Sequence, residues 1–160
     1  VLDLRKAAVE VAEVVKFEQW LRFYFTKGEG DDLTIEVPPE RLAELKAASP
    51  LLFGLAELVN GRELTYQSSC DNVCSYIAAR FDGDIYPAGT VEKVFESRTY
   101  KLELYLFNLF VHTHEALLEQ DYLPFGDWLA RFEVWRQTPE VKRYTDNLLA
   151  SPSQVSTASH

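Results

Sequence analysis

The chain has 160 residues, 47% of them hydrophobic, and 25 acidic against 16 basic side chains leave a net charge of -9. A chain of this length buries close to ~70% of its unfolded surface and needs no metal or disulfide staple to form a core. Its acidity repels nucleic-acid phosphate and anionic lipid, so neither a nucleic acid nor a membrane is expected as partner. Residues 1–150 read as a single all-α domain and 151–160 as a polar tail.

From Leu4 to Lys27 the apolar residues Ala7, Val11, Val14, Phe17, Leu21, Tyr24 and Phe25 recur at spacings of three and four. That period is an amphipathic helix, and Gly28 and Gly30 supply the freedom to end it. Leu33 to Val37 alternates and is β-rich, but Pro38-Pro39 follows and no second strand is evident. It is expected to be an extended connector. Pro39-Glu40 opens a short helix that stops before Pro50, and Ser49 caps a second one running to Asn60-Gly61.

Thr65 suits the cap of a helix from Tyr66 to Phe81, with Tyr66, Cys70, Val73, Ile77 and Phe81 on its apolar stripe. Asp82-Gly83-Asp84 closes it, and Ile85 to Gly89 reads as an ordered surface loop. Thr90 then caps the stretch that should organise the fold, Val91 to Gln120. Between Leu102 and Val111 every residue there is apolar except Glu103 and Asn108. The expectation is one long central helix, bent near Ser97 to Tyr100, within a bundle of six or seven helices. Its apolar run is ten residues, whereas a membrane span needs about 20. Pro124, Gly126 and Asp127 mark the next helix start, and Thr138-Pro139-Glu140 the last.

Candidate chemistry gathers near the end of the central stretch, at His112-Thr-His114-Glu115. On a continuous helix, positions 112 and 114 point about 200° apart, so they cannot share one metal unless the helix breaks. His112, Glu115 and Glu119 form a polar edge, which is ordinarily a solvated stripe. His114 falls among Phe107, Phe110, Val111, Leu117 and Leu118 and is expected to be a core histidine with a hydrogen-bond partner. Its functional alternative is a ligand pocket formed by His114, Phe107, Phe110 and Tyr66.

Cys70 and Cys74 lie one helical turn apart, and both sulfurs could face one ion, within about 40° of each other. With His114 they would make a metal site, although small buried hydrophobes are the commoner use of such thiols. Their number and spacing fit a reducing cytoplasm. No Gly-x-Ser-x-Gly elbow, phosphate-binding glycine loop or dinucleotide fingerprint occurs, so no cofactor and no common enzyme class is expected.

Trp128, Phe132, Trp135 and Tyr144 form an aromatic stripe in the last two helices. Such a stripe is usually core, but it could also be a docking surface. On this basis the expected function is a non-enzymatic protein–protein interaction or scaffold module that forms homo-oligomers through aromatic helix faces, or docks a protein partner. The alternative is a small-molecule or metal-binding protein with its site between the Cys70/Cys74 helix and His114.

Overall fold

The computed structural model describes residues 3–150, with Tyr66 represented by its backbone. Their regular elements are helices apart from one two-stranded hairpin, so the all-α expectation holds. In chain order the elements are α1 (Leu4–Phe25), β1 (Thr26–Glu29), β2 (Asp32–Ile35), α2 (Pro39–Ala48), α3 (Pro50–Val59), α4 (Tyr66–Phe81) and α5 (Thr90–Glu96). They continue with α6 (Arg98–Thr113), α7 (Glu115–Gln120), α8 (Phe125–Arg136) and α9 (Pro139–Ala150). Two compact units are formed, one from residues 3–12 with 92–150 and the other from Glu13–Val91.

In the unit of residues 13–91, the second half of α1 buries Val14, Phe17, Trp20, Leu21 and Phe25. Trp20 is its hub, stacked on Phe17 at 5.4 Å and edge-on to Phe25 at 5.5 Å. The stretch expected as an isolated connector is instead β2, paired antiparallel with β1. Lys27 continues the helical period and Gly28 suits its end, so the sequence pattern conceals the partner strand Thr26–Glu29. Two glycines make the hairpin possible. Gly28 has φ +111, and a Cβ there would run into the carbonyl of Asp32. Gly30, at φ +58, opens the two-residue connection, where a hairpin turn favours positive φ. The α3–α4 linker then docks on β2, with Leu64 N–H donating to Leu33 O at 2.7 Å and Val37 N–H to Asn60 Oδ1 at 2.8 Å.

α2 and α3 begin at prolines, as expected, and the Ser49 hydroxyl accepts from Leu52 N–H at 3.2 Å. α4 carries a capping box in which Thr65 and Ser68 satisfy each other's backbone N–H. Its buried stripe is Val73, Tyr76, Ile77 and Phe81. Cys70 and Cys74 are both exposed, which corrects the expectation of buried thiols. The apolar stripe of α4 runs through Tyr76 rather than the cysteines, and the Tyr76 hydroxyl donates to Leu51 O on α3.

The central stretch is three helices rather than one. Ser97 ends α5, and its hydroxyl accepts from Tyr100 N–H at 3.3 Å to cap α6, so the expected bend is a full break. A second break falls at His114, whose φ of -114 and ψ of 14 lie outside the helical region. Within the unit of residues 3–12 and 92–150, α6 buries Leu104, Leu106, Phe107 and Phe110, and α8 buries Phe125, Trp128 and Phe132. Their rings interlock: Phe107 meets Phe132 edge-on at 5.2 Å and Trp128 at 6.1 Å. Glu103, only 8% exposed, is held in this setting by the Arg136 guanidinium, which donates one bond at 2.9 Å and a second, shorter one. No described helix is long and apolar enough to cross a membrane. The polar tail 151–160 lies outside the described residues.

Candidate functional site

Helical geometry gives α8 two apolar faces. At 100° per residue, Phe125, Trp128 and Phe132 cluster on the buried side, while Trp135, Arg131, Val134 and Ala130 step progressively away from it. The second face borders a cleft of about 390 Å³ whose other walls are Phe110 of α6, His114, and Leu117 and Leu118 of α7. Open clefts of this size are suited to small apolar molecules, whose sites range over about 300–1,000 Å³.

The floor is aromatic. Phe110 contacts the His114 ring at 4.7 Å and Trp135 at 5.6 Å, and His114 meets Trp135 edge-on at 6.1 Å. The rim carries two large apolar side chains in water, Leu117 at 58% and Val134 at 72% exposure. Leu117 and Val134 thus keep apolar surface in water at a cleft whose aromatic wall residues are buried or half-buried.

Two polar side chains stand on these walls, His114 and Arg131. The break at His114 turns the imidazole back on α6, where Nδ1 lies 2.8 Å from Phe110 O and 2.9 Å from Thr113 Oγ1. A carbonyl oxygen only accepts, so Nδ1 carries the proton and Nε2 holds the lone pair when the ring is neutral. Thr113 Oγ1 in turn donates to Leu109 O at 2.8 Å, leaving its own lone pairs for the imidazole. Arg131 is exposed and, among the described residues, makes no ion pair. By contrast Arg136, one turn further along, is committed to Glu103 and Glu133.

Of the residues singled out in the sequence, His114 and Phe110 come together at this cleft. Phe107 lies behind the wall, fully buried against Phe110, Trp128 and Phe132. Tyr66 begins α4 in the other unit, and its side chain lies outside what the structure describes. Trp128 and Phe132 are completely buried and belong to the core, whereas Trp135 is half-buried at the cleft and Tyr144 is 37% exposed on α9. His112, Glu115 and Glu119 are exposed, as a solvated edge requires. The site adds Leu117, Ala130, Arg131 and Val134, none of which the sequence pattern marks as functional. The available signal was the second apolar face of α8, where Ala130 and Val134 repeat one turn apart on the side away from Trp128.

Cys70 and Cys74 lie on α4 in the 13–91 unit. Partial burial, followed by the charges of Cys70 and Asp71, pushes the Cys74 thiol up, which disfavours the thiolate that binds metals or attacks disulfides. Among the described residues no group of three or more His, Cys, Asp or Glu side chains could hold a metal ion. A second cavity of about 300 Å³ is lined by Arg22, Leu64, Thr65, Ser69 and Cys70. Arg22 and Ser69 on its wall are already engaged by Glu18, which accepts from Arg22 Nε at 2.5 Å and from the Ser69 hydroxyl.

Compared with family models, with curated proteins and with solved structures, the chain matches none.

Proposed function

We propose that this chain is a non-enzymatic, cytoplasmic binding protein whose site is the α6/α7/α8 cleft, and that the cleft takes a small apolar guest. The observation carrying this reading is the pairing of an aromatic floor, Phe110 and Trp135, with the exposed rim residues Leu117 and Val134. Binding rather than chemistry is favoured by how His114 is held. A backbone carbonyl, not a carboxylate, orients its ring, and among the described residues no serine, threonine or cysteine lines the cleft.

Trp20 and Trp128 are fully buried, so Trp135 is the tryptophan placed to report occupancy. Anilinonaphthalene sulfonate should bind saturably at one equivalent and perturb Trp135 fluorescence. Ala130→Trp, which fills the cleft from an exposed position, should abolish that binding with the circular dichroism spectrum unchanged. Equal dye binding by both proteins would show that the cleft is not the site.

A second reading is self-association through the same rim, and the exposure of Leu117 and Val134 favours it. It calls for a concentration-dependent dimer in sedimentation equilibrium that Val134→Glu dissociates. A monomer at all concentrations would end it.

A further inference from the structure

We infer that the guest is a single-chain apolar anion, of the class of a free medium-chain carboxylate, with its head group on Arg131. This rests on the binding reading of the cleft. The chain carries a net charge of -9, so a guanidinium that has no carboxylate partner among the described residues, on a cleft whose other walls are apolar apart from His114, calls for an explanation. Acidic neighbours are at hand: Asp127 lies one turn before Arg131 on α8, and Glu133 two residues after it. Glu133 pairs with Arg136 at 3.3 Å, and Arg131 pairs with neither. The cation is therefore available where the apolar wall ends.

The two halves of such a ligand meet two different surfaces. Its hydrocarbon part would lie along Leu117, Val134 and the half-buried Trp135, covering apolar area that now faces water. Its carboxylate would take the planar fork of Arg131, a geometry matched to two oxygens. A neutral ligand of the same length gains only the first contribution, and an alkylammonium would meet repulsion at Arg131. Among the described residues no lysine lines the cleft to offer a second, nonspecific anchor.

The test compares sodium decanoate with decanol, both below their aggregation limits, by Trp135 fluorescence and calorimetry on the full chain. Wild type should bind decanoate about tenfold more tightly than decanol, the increment expected of one charge-assisted contact. Arg131→Gln, a change at an exposed position, should bring decanoate and decanol to the same affinity, and Arg131→Lys should retain part of the preference. Equal affinity for the two ligands, or a preference surviving in Arg131→Gln, would overturn the inference while leaving the cleft as a binding site. Binding of neither ligand would overturn the cleft reading itself.

Discussion

Glu103 and Arg136 show how a charge is accommodated beside the aromatic core. The carboxylate is nearly buried, and the guanidinium lies over the Phe132 ring at 4.8 Å while donating to both its oxygens. Removing one partner strands the other, so Arg136→Ala should cost about 2–4 kcal/mol in urea unfolding. Glu103→Gln in the same background should recover part of it. Tyr144 offers a pH signature. Burial, then the hydrogen bond with the Tyr105 hydroxyl, pushes its phenol up to about 12. The folded state thus favours the neutral phenol, and the stabilisation is whole below the ordinary tyrosine value of about 10. It is lost as pH climbs from there through about 12. Following tyrosinate absorbance, Tyr105→Phe should make one tyrosine ionise earlier than in wild type.

At the scale of elements, α3 and α4 are locked by an absence. A Cβ on Gly54 would overlap the buried Tyr76 hydroxyl, which is already committed to Leu51 O. Gly54→Ala should therefore destabilise by about 1–2 kcal/mol, the overlap outweighing the usual helical gain of alanine. Adding Tyr76→Phe should relieve the clash, a recovery that a urea-melt double-mutant cycle would detect. Most helix boundaries were legible because their signals are local: Pro39, Ser49-Pro50, Thr65 and Pro139 each act within one turn of where they stand. The hairpin was not legible, because β1 directly continues α1 and its pairing depends on Gly28 and Gly30 being bent against residues beyond them. The break at His114 was hidden for a similar reason. No proline or glycine marks it, and the conformation is held by contacts of the imidazole with Phe110 and Thr113.

For the whole molecule, charge is the property with the clearest consequence. An excess of nine negative charges repels itself across the surface, and salt shortens the reach of that repulsion from about 30 Å at 0.01 M to about 3 Å at 1 M. Thermal midpoints should rise with sodium chloride over that range, and a falling midpoint would mean that attractive pairs outweigh the net excess. The candidate cleft was only half legible at this scale. His114 and Phe110 were visible as neighbours on one helix, but Leu117, Arg131 and Val134 acquire meaning only when α7 and α8 enclose a space. Sequence periodicity reports which face of a helix is apolar, not whether that face is filled or left open.

The division of the chain also has a consequence in time. One unit is the continuous stretch Glu13–Val91, whereas the other joins residues 3–12 to residues 92–150. During synthesis the continuous unit can fold as soon as it has emerged, while the first turns of α1 must wait until the later helices exist. Closing that long excursion carries an entropic cost that local helix formation does not repay. Amide protection in pulsed exchange should therefore arrive first around Leu55, Val59 and Ile77, and later around Ala7 and Ala8, giving the two ends of a single unbroken helix different folding clocks.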